Sequence, residues 1–227
     1  MPLDLSRIRA LCFDVDGTLS DTDDQFEQRI ERMLSPLRLL FPNREVRPFA
    51  RKIVMFTETP GNFIIGIPDK LGIDQTLAMM GDFIFRRGHS PKRGGFLLVP
   101  GVREALTRLS PHFPMSVVSA RGERSTQIFL EQFNLNPFFQ AVVTAHTCVH
   151  TKPYPDPILR AASQMSVHPS ECLMVGDTTV DIRAARAAGA QSAGVLCGFG
   201  ERDELERAGA DLILESTAQL SEILLPK

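Results

Sequence analysis

The stretch LCFDVDGTLSD, Leu11 to Asp21, decides how the rest of the chain is read. An apolar run typical of a buried strand ends in two acidic residues, Asp14 and Asp16, followed by Gly17 and Thr18. If Leu11 to Val15 is a strand, side chains two apart point to the same side, which sets both carboxylates together. Like charges so placed repel unless something positive holds them, so a cation or a functional site is implied. An aspartate-rich turn before a glycine is the plain alternative.

Beyond residue 99 the sequence alternates short apolar runs with helical ones. In order these are MSVVSA, ERSTQIFLEQF, AVVTA, DPILRAASQM, CLMVG, DIRAARAAG, QSAGVL, ELERAG and DLILE. Strand alternating with helix predicts a parallel sheet, and strands this continuously apolar fit burial on both faces under helices. The expected fold is α/β, a Rossmann-like doubly wound parallel sheet, with Leu11 to Val15 as its first strand. Between Ser20 and Phe96 the character changes: DQFEQRIERMLSPLRLL, VRPFARKIVMFTE and QTLAMMGDFIFRR are helix-like and no clear strand interrupts them. A helical insert of domain size is therefore expected over 20–96, with Gly94 and Gly95 as a hinge, and the core over 1–19 and 97–227.

Composition narrows the function classes. A chain of 227 residues that is 43% hydrophobic can bury a full core. With 25 basic and 27 acidic residues the net charge is -2, so nothing global points to nucleic acid or an anionic membrane. No apolar run approaches the length that spans a bilayer, and the opening MPLDLSRIRA lacks a signal-peptide layout. Cys12, Cys148, Cys172 and Cys197 are dispersed without CxxC spacing, as reduced core residues would be. The expectation is a cytoplasmic protein acting on a small ligand.

A second acidic pair lies in MVGDTTVDIRAARAAGA, where Asp177 ends an apolar strand and Asp181 follows in the opening turn of a helix. Helix capping accounts for each of these residues alone. It accounts less well for two acidic pairs at the ends of two buried parallel strands, the edge at which open α/β sheets bind ligands. Together they would make an oxygen-rich pocket suited to Mg²⁺, which binds carboxylates and phosphate oxygens. Ser119, ending MSVVS, and Lys152, in HTKPYPDP, would add a hydroxyl donor and a cation on the same edge, as phosphoryl transfer needs. Pro153, Pro155 and Pro157 would stiffen the lysine's loop.

Taken in order, DVDGTL, VVSARG, TKPYPDP and GDTTVD resemble the four motifs of the haloacid dehalogenase superfamily. The insert after the first motif resembles its helical cap, and LLVPGVREAL and GDTTVDIRAARAAGA are most similar to the phosphoglycolate phosphatase-like branch. The resemblance implies that Asp14 is a nucleophile forming an aspartyl-phosphate, and that Asp16 is general acid and then base. It implies that Ser119 and Lys152 bind the phosphoryl group and that Asp14, Asp177 and the Asp16 carbonyl ligate Mg²⁺. Asp181 and Thr18 would lend support from behind. Dehalogenating members lack the acid at the position of Asp16, so its presence argues against dehalogenation. The family often has Asn after Ser119, whereas this chain has Ala120 and then Arg121, a departure that bears on contacts to the rest of the substrate, for which Arg121 would offer a replacement cation.

HTCVH would align His146, Cys148 and His150 on one strand face, which invites a zinc reading. It lacks a fourth ligand and the usual spacing, so a loop approaching Lys152 is expected. GFGERD imitates a dinucleotide fingerprint but lacks the third glycine, and no GxxxxGK loop is present. The implied function is a Mg²⁺-dependent phosphatase acting on a small phosphomonoester, a phosphorylated metabolite. A β-phosphoglucomutase-type phosphomutase shares all four motifs, and a non-catalytic binding module is the alternative of a different class.

Overall fold

The apolar run that opens the chain becomes strand β1, Ala10–Phe13, an inner strand of a six-stranded sheet. The computed structural model describes residues 3–21 and 95–225. After β1 the described chain continues through α1 (Val102–Leu109), β2 (Met115–Val118), α2 (Glu123–Gln132), β3 (Ala141–Val143) and α3 (Asp156–Gln164). It ends with β4 (Cys172–Gly176), α4 (Thr179–Ala188), β5 (Gln191–Val195), α5 (Arg202–Ala208), β6 (Leu212–Leu214) and α6 (Leu220–Leu224).

All neighbouring strands pair parallel, in the order β3-β2-β1-β4-β5-β6. The chain builds outward from β1 to β3, then crosses back to start again at β4 on the other side of β1. This reversal makes the carboxyl ends of β1 and β4 the topological switch point, where the crevice of such sheets opens. The doubly wound expectation is met.

Alternate residues of each strand feed two cores, as a period of two requires. Leu11, Phe13, Leu173 and Val175 face one side with Val102, Leu106 and Leu109 of α1 and Phe129 and Leu130 of α2. Ala10, Cys12, Cys172 and Met174 face the other with Ile158 and Ala161 of α3 and Ala184 and Ala185 of α4. Each fully buried Leu or Phe in such a layer contributes about 1.5–3 kcal/mol of transfer free energy. The four cysteines are free thiols. Among the described residues no helix is long and apolar enough to cross a membrane.

Two details differ from the sequence reading. Strand β1 stops at Phe13, two residues before Val15, because residues 14–20 fold into a tight loop in which Val15 carbonyl accepts from Leu19 N–H at 2.9 Å and Ser20 N–H at 2.7 Å. Helix α1 falls outside the runs picked out by alternation, although Val102, Ala105, Leu106 and Leu109 form the stripe of an amphipathic helix.

The expected helical insert, 20–96, falls almost wholly outside the described residues, and Gly94 with it. Its two ends are described, and they are joined. Asp21 N–H donates to Leu97 carbonyl and Val99 N–H to Leu19 carbonyl, both at 3.0 Å, and Ser20 bridges Leu98 antiparallel. The chain therefore departs and returns side by side, next to the loop that carries Asp14 and Asp16.

Candidate active site

Asp14 is the first residue past β1, and its backbone continues the ladder, its N–H donating to Val175 carbonyl at 2.9 Å. Ser119 is placed in the same way past β2, its N–H donating to Val143 carbonyl at 2.9 Å. Asp177 follows β4 directly, and Asp181 stands in the first turn of α4. Lys152 comes from the longer connection between β3 and α3. Five elements thus deliver side chains to one end of one sheet, all of them buried.

Lys152 is the hub. Its Nζ donates to Asp14 Oδ1 and to Asp181 Oδ1, each at 2.6 Å. Asp181 is itself fixed, because its Oδ2 accepts from Thr178 N–H at 3.1 Å and from Thr178 Oγ1 at 2.7 Å, capping α4. One carboxylate therefore does two jobs, helix cap and lysine support. Burial pulls the Lys152 ammonium toward neutrality, but the facing charges of Asp14 and Asp181 outweigh it and hold its pKa above the ordinary value. Burial pushes Asp14 the other way, up to about 7; Lys152 opposes the rise, while the charges of Asp181 and Asp16 add to it.

Asp177 is fully buried and held on both of its carboxylate oxygens. Thr18 Oγ1 donates to its Oδ1 at 3.4 Å, and Phe199 N–H donates to its Oδ2 at 2.8 Å. Glycine is required around it: a Cβ at Gly17 or at Gly198 would fall 2.2 Å from Asp177 Oδ2, and Gly17 also has φ +68°. The segment GFG that imitates a dinucleotide fingerprint is thus the wall against which Asp177 packs. Sequence reasoning missed it, since a backbone N–H and an absent side chain leave no motif.

The expectation for the first pair needs correcting in its geometry. Asp14 and Asp16 do not share a strand face, because β1 has ended; the loop sends Asp14 toward Lys152 and Asp16 toward Arg121. Arg121 grips Asp16 with both nitrogens of one edge, Nε to Oδ2 at 2.6 Å and Nη2 to Oδ1. Its guanidinium carbon lies 4.8 Å from the centre of the Phe96 ring, and its N–H donates to Ser119 Oγ at 3.1 Å.

Among the described residues, Asp14, Asp177 and Asp181 form the group able to hold a metal, with ligand atoms all within 4.8 Å of one another. The expected Asp16 ligand is its backbone carbonyl, which is not among these side-chain donors, and the Asp16 carboxylate lies with Arg121; Asp181, expected as a support, joins the trio. The donors are all oxygen, buried, and more numerous than the single ammonium between them can neutralise. They fit a hard divalent cation such as Mg²⁺. Residues 145–150 are turn and bend, not strand, so His146, Cys148 and His150 share no face. His150 Nδ1 instead lies 3.2 Å from Asp156 Oδ1, and its ring packs on Tyr154.

Four aspartates, one lysine and one serine thus gather at the switch point. A family model described as haloacid dehalogenase-like hydrolase matches residues 11–195. The chain belongs to the haloacid dehalogenase-like hydrolases. This hydrolase is 27% identical over 219 residues to pyrophosphatase PpaX of Oceanobacillus iheyensis, a match covering 96% of this chain and 97% of that one. It is 28% identical over 233 residues to phosphoglycolate phosphatase of Chromobacterium violaceum, with 98% and 99% covered. In fold it resembles a solved hydrolase from Pseudomonas syringae, with TM-score 0.67 at 23% identity over 95% of this chain and 97% of that one. The first two of these relatives are named as phosphatases.

Proposed function

We propose that the chain is a Mg²⁺-dependent phosphatase that hydrolyses a small phosphorylated metabolite through an aspartyl-phosphate on Asp14. The observation that carries this reading is the Lys152 ammonium set 2.6 Å from Asp14 inside the cluster of Asp14, Asp177 and Asp181. A carboxylate can attack phosphorus only if its charge and that of the phosphoryl oxygens are offset, and this arrangement provides the offset.

Asp14, Asp177 and the Asp16 carbonyl would hold Mg²⁺, which when bound supplies positive charge opposite the phosphoryl oxygens. Lys152 and the Ser119 hydroxyl orient those oxygens. An Asp14 oxygen forms the new bond to phosphorus as the bond to the leaving oxygen breaks. Asp16, having taken up a proton on one oxygen in exchange for one of its two Arg121 contacts, delivers that proton to the leaving oxygen. Asp16 then takes a proton from water as it attacks phosphorus, which frees Asp14 and releases phosphate. Asp181 positions Lys152 and does not touch substrate. The insert over 20–96 acts as a cap that closes this crevice and selects the leaving group, a reading supported by the joined ends at Ser20 and Leu98.

Phosphoglycolate and pyrophosphate are the first substrates to try, being those in the names of the relatives. Phosphate release from these, from sugar phosphates and from nucleotides, with Mg²⁺ and then with EDTA, tests the proposal. Turnover that needs Mg²⁺ and is lost in Asp14→Asn is expected. Metal-independent turnover, or an Asp14→Asn protein of undiminished activity, overturns it. Product formation that depends on a sugar bisphosphate would instead indicate a phosphomutase.

A further inference from the structure

We propose that Arg121 selects substrates whose leaving group carries a second negative charge, a carboxylate or a further phosphate. The inference rests on the phosphoryl-transfer reading of the site, in which Asp16 meets the leaving oxygen. Arg121 is bound to that same Asp16 by Nε and Nη2, which places its guanidinium beside the leaving group and not beside the transferred phosphoryl.

The rest of the guanidinium is accounted for except one nitrogen. Its face lies against the Phe96 ring; the residue's main-chain N–H, separately, donates to Ser119 Oγ. Nη1 is buried and, among the described residues, has no hydrogen-bond partner. A buried guanidinium nitrogen without an acceptor is costly, and Arg cannot shed its charge to relieve it. Water would satisfy an exposed one, but the Arg121 side chain is only 15% exposed.

The planar fork makes the missing acceptor predictable. With one edge committed to Asp16, the donors on Nη1 suit an oxygen anion lying next to the leaving oxygen, such as a carboxylate one carbon away or the second phosphate of an anhydride. A leaving group with only hydroxyls or an aryl ring leaves the nitrogen unpaired. Selection arises because a built polar site rejects the analogue that lacks the matching group more strongly than an apolar pocket rejects a misfit.

Non-hydrolysable phosphonates test this without turnover. Full-length protein in saturating Mg²⁺ is titrated calorimetrically with 3-phosphonopropionate, methylenediphosphonate and propylphosphonate, which present a carboxylate, a second phosphate-like group and a neutral tail. Wild type should bind one or both of the first two at least about tenfold more tightly than the third. Arg121→Gln should erase that ratio and Arg121→Lys should restore part of it. The better of the first two identifies the anion. Equal binding of all three by wild type overturns the proposal. So does a ratio that survives in Arg121→Gln, or one in which all three affinities fall together, as they would if Arg121 merely held Asp16. Absence of any phosphatase turnover would defeat the catalytic reading but leave the binding ratio standing, so the two failures are distinguishable.

Discussion

Asp181 supports Lys152 alongside Asp14, Oδ1 to Nζ at 2.6 Å, while its second oxygen caps the helix on which it stands. Removing it leaves Lys152 with Asp14, so the buried ammonium is not wholly abandoned, and the repulsion between Asp14 and Asp181 disappears as well. Asp181→Ala should therefore destabilise by about 1–3 kcal/mol, less than the loss expected when a buried charge is left alone. Asp181→Asn, which keeps a carbonyl oxygen for Thr178, should lose less. Urea unfolding measures both, and a change below about 0.5 kcal/mol in Asp181→Ala would contradict the double role.

The pH dependence follows from Asp14. Its pKa is raised from 3.8 to about 7 in the metal-free protein, by burial first and then by Asp181 and Asp16 against the pull of Lys152. For a carboxyl raised on folding, the stabilising contribution is complete below 3.8 and is lost as pH rises through about 7. A bound cation needs the ionised form and so competes with the proton below that value. The rise in Tm produced by a fixed Mg²⁺ concentration should be small at pH 5.5, grow through pH 7 and level off by pH 8. Lys152, held above its ordinary 10.5, keeps its charge across this window and adds no slope. A Mg²⁺-induced shift that is flat from pH 5.5 to 8 would remove Asp14 from the cation site.

Much of this arrangement was legible in the sequence, and the parts that were not have physical reasons. The strands read clearly because both faces are buried, which makes CLMVG and MSVV almost uninterrupted apolar runs. Asp14, Lys152, Asp177 and Asp181 could be placed at one edge because each follows such a run or the connection after it. The relation of Asp14 to Asp16 was misread, since it depends on where β1 ends, and strand periodicity does not report an end. Arg121 and Asp16 meet across 105 positions with no period to betray them. Phe199 serves Asp177 through its backbone N–H, which any residue but proline possesses.

The contact of Gly198 with Asp177 gives a third prediction. A methyl group there would lie 2.2 Å from Asp177 Oδ2 and 2.6 Å from its Cβ, so either the carboxylate or the loop must move. Gly198→Ala should weaken Mg²⁺ binding about tenfold or more, as loss of a ligand's supporting contact does in metal sites generally. Titration calorimetry with Mg²⁺ alone reads this. An unchanged affinity would show that Asp177 tolerates displacement and is not a ligand.

A final prediction separates function from stability at the same residue. Above pH 7 the metal-free protein carries the ionised Asp14 among Asp16, Asp177 and Asp181, with Lys152 as its direct cationic partner. Asp14→Asn removes a buried charge without changing the side chain's shape, and Lys152 retains Asp181 as its counterion. At pH 8 in EDTA the variant should therefore melt at a higher temperature than wild type, although it should lose catalytic turnover by about a thousandfold or more. Mg²⁺ should reverse the order, raising the Tm of wild type well above that of the variant. A variant less stable than wild type in EDTA at pH 8 would mean that the Lys152–Asp14 pair outweighs the carboxylate repulsion. In that case the site is held together by its own ion pairs and not poised for a cation.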